Sequence, residues 1–126
     1  MDELFLVTGA LAGFGALAHG YLGERLVLMS VTQGTDLPST RFGGATQTAM
    51  MLRFTWHFFT VVMVSLAVVF LALASGVVGG GDWTVVRVLA GYFAVFGVLV
   101  LVLSRGRHFA WLIGLGAALT AWLGTV

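Results

Sequence analysis

Charge is what this chain is shortest of. Only 9% of its 126 residues are Asp, Glu, Lys or Arg, where a soluble domain of this length carries about 25%. Lysine is missing altogether, so all six basic residues are arginine, and the net charge of +1 offers nucleic acid no basic surface. Cysteine is also missing, which excludes disulfides, thiolate metal sites and a cysteine nucleophile. There is one proline, Pro38. The acidic start, Met1-Asp-Glu-Leu4, lacks the basic region and small-residue cleavage site of a secretory signal, so the first apolar segment is expected to stay in the mature protein. No HExxH or CxxC spacing occurs, and Ser65 and Ser75 have no base near them in sequence.

Apolar residues fill the space that charge leaves. They make up 60% of the chain, and the mean hydropathy is +1.05. One packed core cannot hide that much apolar surface, so lipid is the expected solvent for much of it. The expected fold is an all-α membrane protein, an antiparallel four-transmembrane-helix bundle forming a single integral membrane domain over 1–126. The apolar runs place its helices at about 4–28, 48–75, 83–104 and 108–124.

The first run carries small residues at four-residue spacing, Gly9 and Gly13, then Ala12, Ala16 and Gly20. That pattern lets helix backbones approach closely. His19 shares a face with Ala12, Gly15 and Gly23. A face so bare must pack on a neighbouring helix or a flat ligand. The polar stretch 30–46 holds Pro38, Arg41 and the turn-forming Gly34, Asp36, Gly43 and Gly44. Thr46 or Thr48 is placed to cap the second helix. Ser104-Arg-Gly-Arg107 reads as a tight turn that makes the third and fourth helices antiparallel neighbours. Trp111 and Trp122 mark the two ends of the fourth helix, as interfacial aromatics do.

Arginine placement sets an expected orientation. Arg25, Arg41, Arg53, Arg105 and Arg107 fall on one side, against Asp2, Glu3, Asp82 and the single Arg87 on the other. The positive-inside rule puts the arginine-rich side in the cytoplasm and both termini outside.

Ionisable groups within or beside a membrane span are costly and mark a functional site by default. Arg53 and His57 stand four residues apart, on one helix face. Measured from the outer side at 1.5 Å per residue, His19, His57 and His108 lie at depths of roughly 22, 26 and 22 Å. Glu24 and Arg53 lie about a turn nearer the cytoplasm. The expected ligand-binding set is therefore His19, Glu24, Arg53, His57 and His108, with His19 and His57 facing each other as the first choice for a metal. Several chemistries fit these residues. Haem b is one, held by imidazoles with Gly15 and Gly23 making room for the macrocycle and Arg53 near a propionate. A divalent transition metal on nitrogen and oxygen donors is another, and a proton or anion path is the third. The structural alternative is a Glu24–Arg53 ion pair that ties two helices, with the remaining groups snorkelling to headgroups.

Three stretches carry a resemblance: Ala18-His-Gly-Tyr-Leu-Gly-Glu-Arg25, Leu52-Arg-Phe-Thr-Trp-His57 and Ser104-Arg-Gly-Arg-His-Phe-Ala-Trp111. They resemble the signature stretches of a group of small bacterial four-helix membrane proteins of unassigned function. That family's first stretch reads roughly His-Ser-x-Leu-Gly-Glu, and Gly20 stands here at the serine position. The resemblance spans nearly the whole chain and implies four helices and the same grouping of His19, Glu24, Arg53, His57 and His108. It implies no activity.

Two classes of function follow. One is an inner-membrane protein that binds a cofactor, metal or small ligand near the cytoplasmic interface. The other is an accessory or scaffold subunit that packs on a larger membrane complex or on copies of itself, or a small proton- or anion-conducting oligomer. The partners common to both are the lipid bilayer and other membrane-embedded helices, not nucleic acid. Whether the protein is an enzyme stays open.

Overall fold

The computed structural model describes residues 2–33, 37–39, 43–78 and 83–126. These form four helices and no strand: α1 Asp2–Thr32, α2 Ala45–Ala74, α3 Thr84–Leu103 and α4 Ala110–Leu123. The first three are long and apolar enough to cross a membrane; α4 is apolar but shorter. Of the expected loop residues, Gly34, Asp36 and Arg41 lie outside the described residues, as do 79–82 with Asp82.

The helix limits differ from the sequence expectation by a few residues. α1 runs four residues past 28, and there Ser30 and Thr32 turn their hydroxyls back onto Val27 O at 2.8 Å and Leu28 O at 2.6 Å, which satisfies both polar groups within the helix. α2 begins at Ala45, so neither threonine caps it. Thr48 donates its hydroxyl instead to Pro38 O at 2.8 Å, tying the preceding loop to the first turn. α2 then continues for 30 residues without glycine or proline and stops at Gly76, whose φ of 72° is cheap only for glycine.

α3 stops differently. Arg105 donates its amide to Val102 O at 3.1 Å, and Gly106 to Leu101 O at 2.8 Å. This is the paired bonding of a Schellman motif, with Arg105 in the left-handed position where glycine is usual. Its φ is 52°.

The middle of α1 is not regular α-helix. Ala18–Leu22 and Glu24–Leu28 are π-helical, with Gly23 between them. A π turn carries an extra residue per turn and leaves backbone groups less tightly paired; such turns concentrate at functional sites.

The chain divides into two compact units, Met1–Gly15 with Val64–Val126, and Ala16–Met63. The first unit holds the apolar core. Phe5, Phe70 and Phe93 are buried among Ala67, Val86, Ala90, Ala117 and Ala121. Their rings run in sequence from Trp83, at 5.3 Å to Phe5, then 6.1 Å to Phe70 and 6.0 Å to Phe93. Tilted pairs at these distances add to what burial contributes. The small residues let α3 and α4 nearly touch. A Cβ on Gly114 would lie 2.9 Å from Gly97 Cα, and one on Gly97 would lie 2.8 Å from the Leu115 backbone nitrogen. Within this core the polar groups pair with one another. Thr8 is fully buried; its hydroxyl lies 2.7 Å from that of Thr120, and the two also bond Leu4 O and Gly116 O on their own helices.

Arg87, the lone basic residue on its side in the sequence expectation, bonds Thr125 through Nε to Oγ1 (3.1 Å) and Nη2 to O (3.2 Å). Its guanidinium stands 5.8 Å from the Trp122 ring centre. A cation on the last carbonyls of a helix satisfies acceptors that have no intrahelical partner and complements the macrodipole. Arg87 therefore closes the end of α4.

Candidate functional site

The polar side chains of the second unit collect around Glu24, on the π-helical part of α1. Each carboxylate oxygen takes one partner from α2: Oε1 lies 3.4 Å from Arg53 Nη2, and Oε2 lies 3.2 Å from His57 Nε2. The four-residue spacing of Arg53 and His57 puts both on the helix face that meets Glu24. An ionised carboxylate only accepts, so the proton in the second contact sits on His57 Nε2. The three groups differ in exposure. The Glu24 side chain is 29% exposed, while those of Arg53 and His57 are 45% and 49% exposed. The anion is the more sheltered member, and the two nitrogen bases open outward.

His19 belongs to a second cluster in the same unit. Its Nδ1 is 2.9 Å from Thr60 Oγ1, and that hydroxyl also reaches Trp56 O at 3.3 Å. The imidazole stacks on Trp56 with ring centres 4.3 Å apart and an 11° tilt, and meets Phe59 edge-on at 5.2 Å. The Trp56 indole donates to His19 O at 2.8 Å. That bond gives the widened turn of α1 a reason: the carbonyl of a π-helical residue is held by a side chain from α2.

Set against the sequence expectation, His19 and His57 have separate partners. The first is held by Thr60 and Trp56, the second by Glu24. The room that Gly23 was to leave for a macrocycle is taken by protein, since a Cβ there would overlap the Trp56 ring. Gly20 is covered in the same way, by Thr60 Cγ2 at 2.9 Å from an added Cβ. The flat group lying on the bare face of α1 is thus Trp56. The sequence signal for it was that bare face together with a tryptophan beside His57, but spacing alone does not say which aromatic arrives.

His108 sits in the other unit, and its contacts are local. Its ring nitrogen Nδ1 accepts from Ala110 N at 3.2 Å, its own amide donates to Ser104 Oγ at 3.3 Å, and the ring stacks on Phe109 at 5.3 Å. These bonds cap the start of α4, a task that its position directly after a turn explains. Arg25 lies in the second unit beside Glu24 in sequence, and its guanidinium is turned to Tyr21, 5.6 Å above the ring and 3.2 Å from the hydroxyl.

Among the described residues, no three of His, Asp and Glu are grouped to hold a metal ion. Glu24 with His57 supplies two donors, and these are bonded to each other. Beside the cluster, Met50, Arg53, Phe54, His57, Phe58 and Val61 line a shallow groove of about 500 Å³ on α2. The Phe54 and Phe58 rings stack along it at 6.1 Å. In chemical terms the site is a carboxylate bonded to one guanidinium and one imidazole, both open to exchange, next to an apolar surface.

Comparison with protein-family models, with curated proteins and with solved structures finds no match to this chain.

Proposed function

We propose that the protein is a four-helix antiparallel bundle of a bacterial inner membrane, with both termini outside. In this reading Glu24, Arg53 and His57 form a small-ligand site at the cytoplasmic interface. The observation that carries it is the shared carboxylate: Glu24 holds Arg53 and His57 at once while both remain about half exposed. As a structural tie, a pair this exposed contributes about 0–1 kcal/mol. Two half-exposed bases on one anion instead make a site in which an incoming anionic or polar group displaces one contact and gains the other. His19, fixed by Trp56 and Thr60, positions α1 so that Glu24 reaches α2.

The accessory-subunit reading draws less support. Its motivation was close-packing glycine, and Gly9, Gly20, Gly23, Gly97, Gly114 and Gly124 all abut this chain's own side chains or backbone.

Native mass spectrometry of detergent-purified protein, with an absorption spectrum and elemental analysis, tests the proposal. A bound mass, chromophore or metal is expected on the wild type and is lost from Arg53→Gln and His57→Ala, while Glu24→Gln, which frees both bases, shifts its occupancy. A wild type that carries none, or variants that keep it unchanged, would rule the site out.

A further inference from the structure

We infer that the ligand of this site is an anionic phospholipid, its phosphate on Arg53 and one acyl chain along the Phe54–Phe58–Val61 side of α2. This rests on the membrane reading above and names the ligand that reading leaves open.

Three observations carry it. The first is register. From Phe54 to Ala74 the helix has no charged residue, and that stretch extends roughly 31 Å, the thickness of the hydrocarbon core. Arg53 is therefore the first residue outside the hydrocarbon, at the depth of lipid phosphates. The second is charge. Arg53 gives Nη2 to Glu24 at 3.4 Å, and its side chain is 45% exposed. A guanidinium fork matches a phosphodiester in two-point geometry, which an ammonium cannot do. Displacing Arg53 does not strand Glu24, because His57 still donates to its other oxygen.

The third is shape. Apart from Arg53 and His57, the groove lining is Met50, Phe54, Phe58 and Val61. These recur at helical spacing and leave an apolar track from headgroup depth toward the bilayer centre. From Arg53 to Val61 it runs roughly 12 Å along the axis, enough to take the upper part of an acyl chain. A small free anion would use the arginine and leave this track empty. A zwitterionic phospholipid brings the same phosphodiester but with a cationic ammonium beside it, which the Arg53 guanidinium repels. An anionic phospholipid satisfies both.

The experiment uses full-length protein in nanodiscs of phosphatidylcholine doped with phosphatidylglycerol, released into the mass spectrometer with bound lipid counted. Wild type is expected to keep phosphatidylglycerol over phosphatidylcholine by about fivefold, the value of one arginine facing a net anionic rather than a zwitterionic headgroup. Arg53→Gln should lose that preference, while Arg25→Gln, whose guanidinium is engaged by Tyr21, keeps it. Phe58→Ala leaves the ion cluster intact and should lower retention of both lipids several-fold, so the chain track is tested even where Arg53→Gln misfolds. Inorganic phosphate added at the concentration of phosphatidylglycerol should not displace the lipid. Equal retention of the two lipids by wild type, equal loss in Arg25→Gln and Arg53→Gln, unchanged retention in Phe58→Ala, or displacement by inorganic phosphate would each overturn the inference. If a bound mass other than lipid is lost from Arg53→Gln and His57→Ala, the ligand site stands and only its lipid identity fails.

Discussion

The unit built on Phe5, Phe70 and Phe93 and the unit built on Trp56 solve the same problem, how to join apolar helices, in opposite ways. In the first, alanine and glycine bring backbones into near contact, and the buried Thr8 hydroxyl is satisfied internally by Thr120 and Leu4 O. In the second, large side chains fill the gap left by Gly20 and Gly23, a π-helical stretch lends a carbonyl to an indole, and the polar triad of Glu24, Arg53 and His57 opens outward. Close-packed backbone cannot rearrange, whereas side chains on a widened turn can. The lesson is that packing through backbone suits a scaffold, and packing through polar side chains suits a place where something binds.

The sharpest way to break this contrast is to add a Cβ on each side. Gly114→Ala places a methyl 2.9 Å from Gly97 Cα, where no rotamer change relieves it, and should cost about 2–3 kcal/mol in thermal unfolding. The atoms nearest to a Cβ at Gly23 all belong to the Trp56 ring. The Gly23→Ala cost of about 2 kcal/mol should largely vanish in a Trp56→Ala background, by the logic of a double-mutant cycle. The Gly114→Ala methyl would also lie 2.9 Å from Phe96 Cδ1; should truncating Phe96 rescue Gly114→Ala equally well, the backbone-versus-side-chain distinction is wrong.

Smaller effects sharpen the comparison. Thr8→Val should cost about 1 kcal/mol, because it leaves the Thr120 hydroxyl with only its own helix carbonyls. An unchanged melting temperature would show that the threonine pair contributes nothing to that core. In the open unit, Glu24→Gln and Arg53→Gln should each destabilise slightly, and the double variant should cost less than their sum by about 0.5–1 kcal/mol. Half-exposed partners warrant no larger figure, and strict additivity would mean the pair is not formed in solution. Last, Arg105→Gly should stabilise by about 0.5 kcal/mol, since glycine takes the φ of 52° without the side-chain penalty. A loss of stability there would assign the Arg105 side chain a contact of its own.

The helices were legible because their cause is compositional. Long uncharged runs such as 54–74 permit only a structure that satisfies every backbone group internally, and turn residues such as Pro38 and Gly76 mark where those runs stop. Arg53 and His57 on one face were legible too, because helical periodicity fixes angles within a helix. Two features were not. The π-helical turns at Ala18–Leu28 arise from a bond supplied by another helix, and the exit from α3 uses Arg105 where a glycine was one residue away.

Composition and periodicity therefore settle which segments are helical, which of them are long and apolar enough to cross a membrane, and which polar residues share a helix face. They do not settle what stands opposite that face, because rotation about a helix axis leaves the local pattern unchanged. Side-chain fit between helices made that choice. Trp56 filled the space at Gly23 that the haem reading, one of several, gave to a macrocycle, Thr60 took His19, and Glu24 was left to divide its two oxygens between Arg53 and His57.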